Sequence, residues 1–284
     1  MMDRRHFVKI SAGAAAAGML GLEHTLLAKK TWAETGRKLD RIGVQLYTVR
    51  HLLEEDFEGT LEAVAKIGFH EVEFHDYFGR RPEQVKALLD RLGLDAPAAH
   101  FPWQAFREDL DGVIETALAI GHRYVLLAWL PPGDRSTIAQ YESLAAFCNR
   151  VGKTCKSAGL KFAYHNHDFE FQPIDGQVPF DVLLHETEPN LVEFEIDLFW
   201  ILKGGCDPLE YFESHPGRFT LCHLKDMGEG QKMADVGAGQ IDFGSIFRRS
   251  ERAGLEYFFI EHDAPDDPLA SIKASFDYIE TLRF

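Results

Sequence analysis

The sequence predicts an α/β protein with a single (β/α)8 TIM barrel, and three observations lead to this class. From about residue 40 onward, short β-rich runs alternate with longer amphipathic stretches. Eight β-rich runs are present, which is the strand number of this barrel. The chain after its leader approaches the roughly 250 residues that are typical of the fold. A doubly wound open sheet is the alternative, but the run "GVQLYTVR" lacks the glycine fingerprint with which such folds hold phosphate.

The predicted strands are rich in β-branched and aromatic residues. They are Arg41–Tyr47, Glu71–Phe74, Asp95–His100, Tyr124–Trp129, Lys161–His165, Val192–Asp197, Phe219–Leu224 and Tyr257–Glu261. Between them, apolar residues recur at the three- and four-residue spacing of helices that bury one face. The clearest helical stretches are Phe57–Ile67, Pro82–Leu92, Asp111–Ile120 and Ser136–Ser157.

The amino terminus has the pattern of an export signal rather than of a barrel element. Arg4 and Arg5 are followed by Phe7 and Lys9, and a mildly apolar stretch covers residues 10–22. This spacing resembles the twin-arginine export signal, which carries folded proteins across the membrane.

We therefore expect residues 1–33 to be a signal peptide, cleaved after Ala33, and residues 34–284 to form the barrel in a periplasmic or extracytoplasmic location. An uncleaved amphipathic helix or membrane anchor is the alternative. No internal apolar run is long enough to cross a membrane, so we expect no stable membrane span after processing.

The composition indicates one large globular domain with an acidic surface. The 284 residues are 45% hydrophobic and carry a formal net charge of −15. Because phosphate recognition needs a basic surface, this charge argues against nucleic acid as a partner. The four cysteines show neither CxxC nor zinc-finger spacing, so we expect buried thiols rather than a redox motif or structural zinc.

Four of the predicted strands end in a side chain that commonly binds metals. These residues are His165, Asp197, His223 and Glu261. Because the active site of a TIM barrel lies at the carboxyl ends of its strands, we expect the four side chains to meet there. Mixed imidazole and carboxylate ligands predict one divalent ion, and Mn, Fe, Co, Ni or Zn suits them better than Ca or Mg.

Residue alternation along two strands adds detail to this site and leaves alternatives open. Glu193, Glu195 and Asp197 share one face of a strand, which we expect to point into the barrel. Because buried carboxylates need compensation, we interpret Glu193 or Glu195 as part of a structural ion pair. His165 and His167 also share a face, so one of them is expected to bind the metal and the other to face the substrate.

Eight short motifs lie at or just after the predicted strands: "GVQLYTVR", "EVEF", "AAH", "YHNHDFEF", "IDLFW", "HLKD", "VGAGQIDF" and "IEHD". Together they resemble the xylose-isomerase-like superfamily of sugar isomerases and epimerases, which includes endonuclease IV, inositol-pathway dehydratases and ketose 3-epimerases. The resemblance covers nearly the whole mature chain and implies the superfamily rather than a substrate. It also implies a single divalent metal on His165, Asp197, His223 and Glu261, and members that often form dimers or tetramers.

The chain departs from the ketose epimerases at strand five, where they carry a glutamate that binds metal and moves a proton. The matching position is His165, so only one carboxylate base, Glu261, is retained. A second acid or base must then come from another side chain of the site. The candidates are His167, Glu170, His100, Glu73 and Lys225.

The resemblance implies proton abstraction next to a sugar carbonyl to give a metal-stabilised enediolate. Our leading hypothesis is an isomerase or epimerase of a non-phosphorylated sugar. A lyase or hydrolase that cleaves 3-keto-glycosides by β-elimination is the alternative, and a non-catalytic carbohydrate-binding barrel is a third hypothesis. Endonuclease activity needs a zinc cluster and a basic face, which this acidic chain does not provide.

Aromatic and polar residues near the strand ends are candidates for contacts with the substrate. Trp129, Trp200, Phe101 and Trp103 could form apolar walls against a sugar face. The substrate-binding candidates are Gln45, Tyr47, Glu73, His100, Trp129 and Trp200. We interpret His51, His75, His122 and His262 as ordinary surface or hydrogen-bonded histidines.

Overall fold

Eight parallel strands close into a barrel in which each strand pairs with its neighbours in the chain, as predicted. The computed structural model describes residues 36–284, so the predicted export signal lies outside the described residues. The strands are β1 Gly43–Gln45, β2 Glu71–Phe74, β3 Asp95–Phe101, β4 Tyr124–Leu127, β5 Lys161–His165, β6 Val192–Asp197, β7 Phe219–Leu224 and β8 Tyr257–Ile260. A small antiparallel ribbon, Asp226–Met227 with Met233–Ala234, follows β7.

Helices follow the strands and cover the outside of the barrel. The α-helices are Arg50–Glu55, Phe57–Ile67, Pro82–Leu92, Trp103–Glu108, Leu110–Ile120, Ile138–Ser157, Pro179–Glu186, Leu198–Lys203, Pro208–Ser214, Phe243–Arg248, Ser250–Ala253 and Pro268–Thr281. The short 3₁₀ helices are Leu46–Val49, Pro132–Asp134, Phe169–Phe171 and Glu229–Gln231. Local sequence signals determine where several of these helices begin and end. The Asp56 side chain caps the second helix at Gly59 N, and Gly68 ends that helix with a positive φ of 118°.

The alternation of side chains along each strand separates two apolar regions. Outward-facing residues pack against the helices in one large core. Inward-facing residues form a separate apolar layer of the barrel interior, comprising Ala98, Tyr124, Leu126, Ala163, Leu221 and Phe259. Four of these stand two positions before residues of the strand-end site, so the layer lies directly beneath that site.

At the opposite end of the interior, Glu193 forms the predicted ion pair. Its carboxylate lies 3.1 Å from Lys161 Nζ and accepts a hydrogen bond from Tyr124 Oη at 2.9 Å. The four cysteines are free thiols, in agreement with the prediction, and Cys206 is the only partly exposed one among the described residues. Within residues 36–284, no helix is long and apolar enough to cross a membrane.

Three strands are shorter than predicted, and the differences place site residues in loops. β1 ends at Gln45, because a 3₁₀ helix begins at Leu46 and the Gln45 side chain accepts a hydrogen bond from Tyr47 N. β4 ends at Leu127, so Trp129 lies in the following loop. β8 ends at Ile260, which makes Glu261 the first residue after the strand.

Candidate metal centre and active site

The four predicted metal ligands come together at the carboxyl ends of β5 to β8. His223 Nδ1 lies 2.8 Å from Glu261 Oε2 and 3.7 Å from Asp197 Oδ2. His165 Nε2 lies 4.0 Å from the same Asp197 oxygen. All four side chains are buried. Asp197, His223 and Glu261 therefore form a group with one ligand atom each in reach of a shared ion, and His165 stands beside it.

Local structure explains why Asp197 presents one oxygen to this group. Asp197 caps the helix that starts at Leu198, and its Oδ1 accepts a hydrogen bond from Trp200 N at 2.9 Å. The neighbouring β5 holds the backbone in place, because Asn166 Oδ1 accepts a hydrogen bond from Asp197 N at 3.0 Å. Only Oδ2 is then left to face His223.

The donor atoms of this group fit a metal ion. Asp197 Oδ2, His223 Nδ1 and Glu261 Oε2 are fully buried and lie close to one another and to the ammonium of Lys225. Three carboxylates, those of Asp197, Glu261 and Asp263, meet this single ammonium, and because buried carboxylates need compensation, the group can accept a further cation. Two carboxylates and two imidazoles are a common donor set for a divalent transition ion.

A second polar layer lies directly behind the ligands. Glu195 Oε2 is 2.7 Å from His100 Nε2, 3.0 Å from His165 Nδ1 and 3.1 Å from His223 Nε2. Burial alone would raise the pKa of Glu195, but the three imidazoles hold it well below its usual range. Glu195 is therefore ionised, and its ionic partners are three histidines.

Glu73 is the companion carboxyl group of Glu195. Its Oε2 accepts a hydrogen bond from Gln45 Nε2 at 2.8 Å and lies 2.7 Å from His223 Nε2. Burial and the charge on Glu195 raise the pKa of Glu73 to about 7. Glu73 is fully buried beneath the site, and it is absent from the described cavity wall.

Lys225 brings a positive charge to the ligands from the other side. Its ammonium lies 3.0 Å from Asp197 Oδ2, 2.7 Å from Glu261 Oε2 and 2.8 Å from Asp263 Oδ1, and the residue is only 2% exposed. Burial would lower the pKa of Lys225, but these carboxylates raise it well above its usual range. The side chain is therefore a fixed ammonium next to the metal ligands.

Above the ligands opens a cavity of about 740 Å³. Predicted site residues that line it are Gln45, Tyr47, His100, Trp129, His165, His167, Trp200, Lys225 and Glu261. Trp129 and Tyr47 are 44% and 38% exposed, so their rings form part of the open mouth. The cavity thus joins the metal ligands to an aromatic rim.

Glu170 lies apart from the cavity. Its carboxyl group accepts hydrogen bonds from Tyr164 Oη at 2.6 Å and from His167 N at 2.8 Å. Burial raises the pKa of Glu170 to about 7. These contacts place it behind the turn that follows β5, where it holds the backbone of His167.

Two histidines line the cavity, and each has one ring nitrogen that makes no hydrogen bond within the described structure. His167 Nδ1 and His75 Nδ1 are buried and make no hydrogen bond within the described structure. Burial lowers the pKa of His75 to about 4 and that of His167 well below its usual range, so both rings are neutral. The interpretation of His75 as an ordinary histidine is therefore wrong, whereas His122 is hydrogen-bonded to Tyr77 Oη and Ala96 O as expected.

Sequence reasoning also missed Asp226 and Asp263. Asp263 is two residues beyond Glu261 and lines the cavity beside Lys225. Asp226 is buried and accepts four backbone N–H bonds that hold the loop after the small ribbon. The motif "HLKD" contained the only signal for Asp226, namely an acid next to a strand-end lysine.

Comparisons with known proteins agree with this architecture. Residues 61–282 match the family model described as xylose isomerase-like TIM barrel, and residues 1–21 match the model of the twin-arginine translocation signal sequence. The second match indicates that the chain is exported.

Two curated relatives are inosose dehydratases. The protein of Geobacillus kaustophilus is 26% identical over 190 residues, which are 59% of this chain and 61% of that protein. The chain thus spans about three fifths of that relative. The protein of Geobacillus thermodenitrificans is 24% identical over 268 residues, 81% of this chain and 88% of that protein.

Two solved structures share the fold. A sugar phosphate isomerase/epimerase from Parabacteroides distasonis has a TM-score of 0.76 at 23% identity, covering 87% of this chain and 98% of its own. The IolI protein with a bound zinc atom has a TM-score of 0.69 at 13% identity, covering 86% of this chain and 99% of its own.

Proposed function

Because the chain belongs to the xylose isomerase-like TIM barrel family, we propose that it is a metal-dependent enzyme that removes the proton next to a carbonyl group of a non-phosphorylated sugar or cyclic keto-polyol. The observation that carries this proposal is the convergence of buried ligand atoms of Asp197, His223 and Glu261 next to an aromatic-rimmed cavity whose wall includes Glu261. His165 would complete the ligand set. A non-catalytic binding barrel would have no need for a buried cation and neutral bases beside these ligands.

The ligand set would hold one divalent ion, whose chemistry is to polarise a carbonyl or hydroxyl oxygen of the substrate. The ring of His167 lines the cavity and is neutral, so it can accept a proton from the carbon next to that carbonyl. Glu261 is the carboxylate alternative for the same step. Lys225 is protonated and can donate to an oxygen of the substrate or stabilise its negative charge.

The charges of the cavity support a substrate without phosphate. Lys225 is the only Lys or Arg among the described residues of the wall, and three carboxylates already neutralise it. Asp76 adds a further carboxylate to the same wall. A phosphate would be repelled there, whereas sugar hydroxyls can bond to these acids and sugar C–H faces can pack on Trp129 and Trp200.

The fate of the intermediate separates two candidate functions. The acid and the base are different kinds of group, namely the ammonium of Lys225 and the neutral imidazole of His167. A base that removes a proton and a separate acid that protonates the leaving group suit elimination of a β-hydroxyl or β-linked group. The curated relatives named inosose dehydratase support this lyase function. Return of the proton would instead give isomerisation or epimerisation, and neutral His75 on the cavity wall is a second proton carrier for that function.

Proton NMR in deuterated water tests the proposal directly. The metal-reconstituted mature protein is incubated with free ketoses and aldoses, inosose and 3-keto-glucosides. Deuterium next to the carbonyl with all carbon–oxygen bonds retained would identify an isomerase or epimerase, whereas loss of water or an aglycone would identify a lyase. Absence of both reactions across the panel, with metal bound, would contradict the proposal. Asp197→Ala serves as the inactive control.

We also propose that the mature enzyme works in the periplasm and that the signal is removed after Ala33. Amino-terminal sequencing of protein purified from the periplasmic fraction would test both points. Retention of the signal residues, or recovery of the protein from the cytoplasm alone, would contradict them.

A further inference from the structure

Three imidazole rings meet at a single carboxylate oxygen beneath the proposed metal ligands. Glu195 Oε2 lies within 3.1 Å of one ring nitrogen of His100, His165 and His223. Glu195 is fully buried, so no water competes for this oxygen. Its other oxygen, Oε1, makes no hydrogen bond within residues 36–284. Among the described residues, the contacts of Glu195 are thus directed at histidines and at no lysine or arginine.

The two ring nitrogens of each ligand histidine face different layers. His223 points Nε2 down to Glu195 and to Glu73, whose Oε2 lies 2.7 Å away, and Nδ1 up to Asp197 and Glu261. His165 points Nδ1 down to Glu195 and Nε2 up toward Asp197. A neutral imidazole has one N–H and one lone pair, so an N–H bound to a carboxylate of the lower layer leaves the lone pair for the upper layer. Glu195 therefore selects the tautomer of His165, and Glu195 and Glu73 together select that of His223.

We infer that Glu195 is the positioning residue that orients His165 and His223 and strengthens them as metal ligands. This inference rests on the proposed metal site. A carboxylate behind a ligand histidine fixes the ring orientation and raises its basicity, and loss of such a partner typically weakens metal binding by about 10–100-fold. Because two of the four ligands share Glu195, its loss affects both ligands at once.

The lower layer could itself be mistaken for a second metal site, since His100, His165, Glu195 and His223 lie close enough to surround an ion. Access to the cavity distinguishes the two layers. Glu261 and His165 of the upper group line the cavity, where a substrate can reach a bound ion, whereas Glu195 is fully buried and is absent from the described cavity wall. We therefore assign the ion to the upper layer and the hydrogen bonds to the lower one.

The experiment compares Glu195→Gln with Glu193→Gln in the full mature chain. The two residues are on the same strand and the same face, and both substitutions remove one negative charge, but Glu193 contacts Lys161 and Tyr124 instead of histidines. Zinc affinity is measured by chelator competition. Cobalt reconstitution gives visible spectra, and nitrogen-15 NMR of labelled histidines reports the ring tautomers.

We expect one zinc ion per chain in the wild type. Glu195→Gln should bind zinc about 10–100-fold more weakly, change the cobalt spectrum and lose the fixed tautomer of His165, whereas Glu193→Gln should match the wild type. Equal affinity, spectrum and tautomers in Glu195→Gln would overturn the inference, as would two ions per chain. A wild type that binds no metal would instead refute the proposed function. If Glu195→Gln does not fold, Glu195→Asp is measured in its place.

Discussion

Asp226 provides a quantitative test of how the loop beside the active site is held. Its Oδ2 accepts hydrogen bonds from Gly237 N and Gly239 N, both at 2.9 Å. Its Oδ1 accepts from Met227 N at 2.7 Å and from Ile241 N at 3.1 Å. The side chain is buried, so water cannot replace these bonds without opening the loop. The perturbation is Asp226→Asn, which preserves the shape and removes the charge and one acceptor oxygen.

The expected cost follows from the two donors that lose their acceptor. The asparagine amide would point its own N–H groups at Gly237 N and Gly239 N, which are donors as well. A hydrogen bond to a charged group contributes about 1.5–3 kcal/mol, so loss of two would cost about 3–6 kcal/mol. Partial opening of the loop lets water reach the donors, and we therefore expect about 3 kcal/mol. In a domain of this size that lowers Tm by about 6–12 °C.

The assay is thermal unfolding followed by circular dichroism, with hydrogen exchange of Gly237 and Gly239 as a local readout. Asp242→Asn is the matched control, because Asp242 caps the helix Phe243–Arg248 from the same loop and asparagine is an equally good cap. We expect Tm of the control to change by less than about 2 °C. A decrease of less than about 3 °C in Asp226→Asn would refute the anchoring role.

Four further predictions concern the site and the pH response. Asp197→Ala should retain less than about a tenth of the wild-type metal, as measured by mass spectrometry; equal content would contradict its role as a ligand. Lys225→Met should keep the metal and lower kcat by about 100-fold, and an unchanged kcat would remove it from the mechanism. Trp129→Ala should raise KM about 10-fold at constant kcat; a change in kcat alone would argue against a role in substrate binding. Burial lowers the pKa of His122 to about 4, below its unfolded value of about 6.5, so the free energy of unfolding should fall by about 3 kcal/mol from pH 6.5 to 4. Chemical denaturation across this pH range should show a smaller loss of the free energy of unfolding in His122→Gln than in the wild type. The same pH dependence in both proteins would contradict the assignment of this loss to His122.

Much of the architecture could be predicted from local sequence signals. The helices Phe57–Ile67 and Pro82–Leu92 have the predicted bounds, because a cap or proline marks each start and a glycine marks each end. The strands Lys161–His165 and Val192–Asp197 also match, since period-two alternation and length distinguish them from helices. The convergence of the four strand-end side chains followed from this placement, because parallel strands of a barrel end on the same side.

The layer behind the ligands could not be predicted in the same way. The position of Glu195 depends on the register between β6 and β7. This register is irregular between Phe194 and Glu195, and it sets Glu195 opposite Leu221. Such stagger depends on closure of the whole barrel and leaves no local pattern in the sequence. The alternation of side chains along β6 shows that Glu193 and Glu195 share a face. Only the register of the strands shows that Glu193 meets a lysine and Glu195 meets histidines.

The apolar layer beneath the site has a consequence for the isotope experiment. Ala98, Ala163, Leu221 and Phe259 are fully buried and close the barrel interior below His100, His165, His223 and Glu261. Within residues 36–284 this layer closes the route from below, so solvent reaches the proton carriers through the cavity mouth, and a substrate bound there would block that route. A hydrogen taken from the substrate is then shielded from deuterated water until product leaves. If the enzyme returns that hydrogen, the product should carry back part of its original protium, and the retained fraction should rise as the substrate fits the aromatic rim more closely.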